Sequence, residues 1–177
     1  YITKYINKDD RTCMPIFSDG AAAVLVDFEK DAKINPFVFS TDGSGAKYLT
    51  LIEKEKLNTT DNPALYHDGA NVLKFVINKI PIAVESLLEK SHLTKTDIDL
   101  FVFHQASAVV LERLRKKLDI DESKWYVNIE SVGNTVSATI PLALTQAKQE
   151  GILKEGMNVM LMGFGVGLSI AGCILTT

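Results

Sequence analysis

The last 22 residues, Gly156 to Thr177, carry no charged side chain. A run of that length has two uses. It can cross a bilayer as one helix, or it can be folded into strands buried inside a protein. The glycines decide between them. Gly163, Gly165 and Gly167 fall within five residues, where helix propensity is poor, although Gly163 and Gly167 keep the GxxxG spacing of packed membrane helices. They split the run into Met157–Gly163 and Leu168–Thr176, each of strand length. We read two buried antiparallel strands joined by a glycine turn, and no membrane span.

The segments upstream alternate. Val72, Phe75, Val76, Ile80, Ala83, Val84, Leu87 and Leu88 recur at helical spacing, so Gly69–Lys90 reads as a long amphipathic helix with a kink expected at Pro81. Ile98–Phe103 alternates too little for a half-exposed strand and fits one buried on both faces. Ser107 can cap a helix over Ala108–Leu118. Tyr126–Ile129 reads as a short strand. Ser137 or Thr139 opens a helix reaching Glu150, with Pro141 in its first turn. Helix, strand, helix, strand, helix, strand, strand implies an α/β layer: a mixed, mostly parallel sheet with helices on both faces and an antiparallel edge. The first forty residues read as β, at Cys13–Phe17, Ala21–Phe28 and Phe37–Ser40, with Asp19-Gly20 as a turn. Residues 42–65 are polar and read as a loop or insertion.

Composition excludes several classes. At 177 residues, 46% hydrophobic and 23% charged, the chain is no disordered tail or fibre, and it can bury a core without disulfide or metal. A net charge of −3 argues against a nucleic-acid partner. Two cysteines, Cys13 and Cys173, are too few for a secreted disulfide scaffold, so a reducing cytoplasm is expected. No signal-peptide pattern opens the chain, and it does not start with Met; it reads as a piece of something longer. His67 and His92 lack zinc-ligand spacing, and the three glycines do not make a GxGxxG dinucleotide site.

Three strand ends carry candidate chemistry. His104 follows the buried strand and precedes a helix, at the edge where open α/β sheets bind ligands. Asn134, in Val132-Gly133-Asn134-Thr135, also stands between strand and helix. The glycine turn is the third. An imidazole N–H, a carboxamide N–H and backbone N–H groups are all suited to stabilising a developing oxyanion. By position alone, His104 could equally be a hydrogen-bonded strand-end residue, and Asn134 a cap or turn residue.

Phe103-His104-Gln105-Ala106, Gly133-Asn134-Thr135 and Gly163-Phe164-Gly165-Val166-Gly167-Leu168 resemble, in order and spacing, the C-terminal part of the 3-oxoacyl-acyl-carrier-protein synthase III family. Asp10-Arg11, Phe17-Ser18-Asp19-Gly20-Ala21 and Asp68-Gly69 add to the match. The resemblance implies the thiolase fold, two similar α/β halves. On that basis residues 1–45 are closing strands of the first half, 46–65 a connecting loop and 66–177 the second half. It also implies a decarboxylative Claisen condensation of an acyl thioester with malonyl-acyl carrier protein, in fatty-acid or related biosynthesis. His104 and Asn134 would donate to the malonyl thioester oxygen. Phe164 would shape the place where the carboxylate leaves. The Val166 N–H, within Gly165-Val166-Gly167, would serve a second oxyanion hole. The nucleophilic cysteine would lie outside this chain, leaving the chain alone inactive, with Cys13 and Cys173 as core residues. Arg113, Arg115, Lys116 and Lys117 would dock the acidic acyl carrier protein, if they are more than a solvated face. No cofactor is implied beyond the substrates acyl-CoA and malonyl-acyl carrier protein, and a homodimer is implied for the intact protein.

The chain departs from the family pattern in three places. Ser107 replaces a common Asn, Val109 a common Arg associated with carrier or CoA phosphates, and Val166 a common Gly. Two other readings stay open: a non-catalytic half-fold that binds or scaffolds, and a thiolase-fold acyltransferase making an ester or amide.

Overall fold

The computed structural model describes residues 1–28, 33–52 and 64–177. Its core is a four-stranded mixed sheet of order β1-β6-β5-β4, built from β1 (Ile34–Thr41), β4 (Leu100–Phe103), β5 (Asn158–Gly165) and β6 (Ser169–Thr176). A separate two-stranded hairpin pairs β2 (Leu49–Ile52) with β3 (Ala64–His67). The helices are α1 (Gly69–Ser91), α2 (Ala108–Leu118), the single turn α3 (Ile129–Val132) and α4 (Thr139–Gln149).

β4 shows why the sheet is central. All four of its residues are buried, so alternate side chains must be covered on opposite faces. Phe101 and Phe103 meet α1 and α2 in the larger core, whereas Leu100 and Val102 meet Ala143 and Ala147 of α4. Helices therefore cover both faces. α1 buries Val76, Ile80, Ala83, Val84, Leu87 and Leu88, the stripe that its spacing predicts. Asp68 caps it by accepting from the Asn71 N–H at 3.0 Å, and the helix continues through Pro81. Ser107 caps α2 as expected, accepting from the Val110 N–H at 3.3 Å.

The α/β class stands, but the strand directions differ from expectation. Among the described strands, β4–β5 is parallel, while β5–β6 and β1–β6 are antiparallel, so the sheet is not mostly parallel. The glycine turn is shorter than 163–167. Gly163 and Gly165 still belong to β5, and the chain reverses at Val166–Leu168. β1 contains the expected Phe37–Ser40 strand. Although it lies within residues 1–45, it bonds to β6 in the sheet of the second half.

Three further expectations are corrected. Cys13–Phe17 forms turns ending in a single bridge: the Met14 N–H donates to the Asp10 carbonyl, the Ile16 and Phe17 N–H groups to the Cys13 carbonyl, and only Phe17 bridges to a distant residue, Asn134. Ala21–Phe28 has the composition of a strand but no strand beside it among the described residues, and it lies exposed. Tyr126–Ile129 makes no strand. One bridge links Trp125 to Phe101, and the Gln105 side chain then takes the place of a ladder, donating to the Tyr126 carbonyl and accepting from the Asn128 N–H. The described part of residues 42–65 has regular structure where a plain loop was expected. A 3₁₀ segment at Gly43–Tyr48 leads into the β2–β3 hairpin, and residues 53–63 lie outside the described set.

Candidate active site

β4 ends at Phe103, and the parallel ladder carries on one residue further: the His104 N–H donates to the Met162 carbonyl at 2.9 Å. This fixes His104 just beyond the carboxyl end of β4, alongside the last residues of β5. The Ala106 N–H donates to the His104 carbonyl at 2.9 Å and turns the chain toward α2. The His104 imidazole is held from two sides. Its Nδ1 lies 2.7 Å from the Thr139 hydroxyl, and the Phe164 ring stands edge-on at 5.2 Å between centroids. Burial pushes the imidazole pKa down to about 4, against a smaller upward pull from the Val136 backbone, so the ring is neutral at pH 7.

Asn134 is set by a loop clamped from the N-terminal segment. Its N–H donates to the Ile16 carbonyl at 2.9 Å, and its carbonyl accepts from the Ser18 N–H at 3.0 Å. The Ser18 hydroxyl also donates to the Val132 carbonyl. Gly133 is required there. It has φ +74°, and a Cβ would lie 2.6 Å from the Ser18 hydroxyl oxygen. The amide orientation of Asn134 follows from its partners. The Val136 N–H can only donate, and it meets Oδ1 at 2.9 Å, so Nδ2 is the other atom. One Nδ2 hydrogen goes to the Ala106 carbonyl at 3.2 Å, leaving the second to give. Val136 adopts φ +57°, a left-handed conformation that costs a β-branched residue about 1–3 kcal/mol.

His104, Asn134 and Phe164 line one cavity of about 760 Å³, together with Gly165, Val166, Thr139 and His67. No Asp, Glu, Lys or Arg is among its lining residues. Val109 and Val166 stand at this cavity and are well exposed. Gly167 lies in the turn beyond the lining. Neither cysteine reaches the cavity. Cys13 is buried, and burial pushes its thiol up to about 11; burial also raises the Cys173 thiol. Neither environment favours a thiolate.

The four basic residues differ in what they touch. Glu112 holds the Arg115 guanidinium through two bonds of 3.0 and 3.1 Å and the Lys116 ammonium at 3.0 Å. Arg113 and Lys117 are exposed and have no ion pair among the described residues.

Three residues at or behind the site carried no readable signal. Thr139 is 35 positions from the histidine it touches. His67 faces the cavity from the end of β3; burial lowers its pKa, opposed by the charges of Asp10 and Asp68. Gln105 is buried behind the site, its amide shared between β4 and the Tyr126–Asn128 segment. Its place two residues after an apolar strand does not by itself say that its carboxamide is buried and needs partners.

Comparison with known proteins bears on this geometry. Residues 88–177 match the family described as 3-oxoacyl-[acyl-carrier-protein] synthase III C terminal, and residues 1–43 match 3-oxoacyl-[acyl-carrier-protein] synthase III. The chain belongs to the 3-oxoacyl-acyl-carrier-protein synthase III family. A beta-ketoacyl-[acyl-carrier-protein] synthase III of Listeria monocytogenes is 37% identical over 175 residues, covering 98% of this chain and 54% of that protein. One from Clostridioides difficile is 37% identical over 174 residues, covering 94% of this chain and 53% of that protein. Among solved structures, the Thermus thermophilus synthase III superposes with a TM-score of 0.87 at 36% identity, covering 99% of this chain and 56% of its own. The Aquifex aeolicus enzyme gives 0.89 at 27%, covering 99% and 55%. The thiolase-type α/β fold of this family is thereby established for the chain. The chain spans about half the length of the curated relatives that it matches. Among the described residues, no helix is long and apolar enough to cross a membrane.

Proposed function

We propose that this chain supplies the C-terminal part of a condensing enzyme that joins an acyl thioester to malonyl-acyl carrier protein with loss of CO₂. The observation that carries the reading is the convergence of His104 and Asn134 on one uncharged cavity beyond the strand ends. Malonyl decarboxylation moves the electrons of the breaking C–C bond into an enolate, so charge grows on the thioester oxygen. A neutral imidazole N–H and the spare Nδ2–H of Asn134 are preorganised donors for that oxygen, and losing one such donor costs roughly 3–4 kcal/mol. Apolar surroundings, with Phe164 beside the imidazole, favour neutral CO₂ over a carboxylate. The enolate carbon then attacks the acyl carbonyl, and the thiolate that held the acyl group departs. In this reading the nucleophilic cysteine comes from outside the chain, because neither Cys13 nor Cys173 borders the cavity. The Val166 N–H serves the acyl thioester oxygen.

The domain division follows the same reading, adjusted by the sheet. Residues 1–28 close a first half, and β1 opens the second. Acyl carrier protein and acyl-CoA are the partners and the intact protein is a homodimer, with Arg113 and Lys117 the charges free to meet an acidic carrier. The enzyme works in the cytoplasm and needs no cofactor beyond its substrates. The test is a pair of variants in the protein carrying both halves. His104→Ala and Asn134→Ala should keep acylation and lose malonyl-thioester decarboxylation by on the order of 100-fold or more. Decarboxylation at the parent rate in both would overturn the oxyanion role.

A further inference from the structure

We infer that Thr139 is a positioning residue that sets the tautomer of His104. The inference rests on the donor role proposed above for His104 and deepens it. A neutral imidazole carries one proton, and only the Nε2–H form can donate into the cavity while Nδ1 faces Thr139. Thr139 is buried, and its hydroxyl has two possible acceptors: His104 Nδ1 at 2.7 Å and the Val136 carbonyl at 3.0 Å. The Val136 carbonyl already accepts the backbone N–H of Thr139, so it is not orphaned if the hydroxyl turns away. The imidazole nitrogen is the nearer acceptor, and this shorter contact outweighs the weaker pull of the Val136 backbone toward a protonated ring. The hydroxyl therefore donates to Nδ1, which keeps the ring proton on Nε2 and aims it at the cavity.

Val136 ties the two donors together. Its N–H fixes the oxygen of the Asn134 amide, and its carbonyl receives the first turn of α4 that carries Thr139. One strained residue thus holds the supports of both donors in register.

The test needs no substrate. Ring-¹⁵N histidine NMR of the 177-residue chain at pH 7 reads which nitrogen of His104 bears the proton, with His67→Gln and His92→Gln for assignment. The expected result is Nε2–H in the parent and in Thr139→Ser, and a mixed or Nδ1–H ring in Thr139→Val. An Nδ1–H ring in the parent overturns the inference even if Thr139→Val does not fold. An unchanged tautomer in a folded Thr139→Val also overturns it. In the protein with both halves, Thr139→Val should lower kcat for decarboxylation on the order of 10- to 100-fold, with Thr139→Ser restoring it. If His104→Ala decarboxylates normally while the tautomer follows Thr139, the functional reading fails and this inference survives. If the tautomer ignores Thr139 while His104→Ala is inactive, the reverse holds.

Discussion

Two mainly apolar runs in this chain, both read from sequence as strands, meet opposite fates. Leu100–Phe103 is wholly buried, hydrogen-bonded to β5 and covered on both faces. In Ala21–Phe28, Val24, Leu25, Val26 and Phe28 are 68%, 93%, 74% and 91% exposed. Propensity does not separate them. A strand forms where an edge offers unpaired N–H and C=O groups and a layer covers its side chains. β4 finds both within this chain, and Ala21–Phe28 finds neither among the described residues. Between them in degree of packing, Ile16–Ser18 is held by bonds to the Cys13 carbonyl and to the Asn134 loop.

The largest expected effect tests that contrast. Phe103→Ala should destabilise the fold by about 3–5 kcal/mol in chemical denaturation, because it empties a site packed against Trp125 at 4.6 Å between ring centroids. Phe28→Ala should change stability by less than about 0.5 kcal/mol in this chain. Equal effects would mean that the exposed run is packed in solution. A hydrophobic dye sharpens the point. It should bind this chain, and Leu25→Lys with Phe28→Glu should weaken that binding while leaving the denaturation midpoint in place.

The histidine that follows β4 and the N-terminal turns that precede Ala21 should also titrate in different windows. The folded pKa of His104 is depressed to about 4 from an ordinary 6.5. The unfolded chain therefore binds the proton first as pH falls, and stability is lost between about pH 6.5 and 4. The loss amounts to about 3 kcal/mol, and His104→Gln should remove it from the pH profile. Asp10, in the N-terminal turns, is lowered to about 2 by bonds from Thr12 and Cys13. Its contribution is present above the ordinary carboxylate pKa and is lost as pH falls toward 2. A profile in which both regions loosen together near pH 5 would break the comparison. A smaller loss is expected from Ser107→Ala, which removes the cap of α2 and should cost about 1 kcal/mol in the same denaturation assay.

Much of the body was legible because its signals are local. The stripe of α1, the Ser107 cap and the uncharged run of β5–β6 each depend on near neighbours. The site was legible to the extent that strand ends gather at one edge. That rule located His104 and Asn134, although Asn134 follows the helical turn α3 rather than the expected strand. What the sequence could not carry was pairing across distance. Nothing local to Ile34–Thr41 says that it lies beside β6, and nothing near His104 points to Thr139. Strand direction was misjudged for the same reason, since alternation of elements constrains β4 and β5 but not β1.

The central claim is that this chain holds the oxyanion donors of a condensing site and not its nucleophile. Incubation with a radiolabelled acyl-CoA, alone and after mixing with a separately produced N-terminal half of a family member, tests it directly. The account predicts no thioester on Cys13 or Cys173 alone, and no condensation with malonyl-acyl carrier protein until the other half is added. A stable thioester on either cysteine of the isolated chain, discharged by malonyl-acyl carrier protein with release of CO₂, would contradict it.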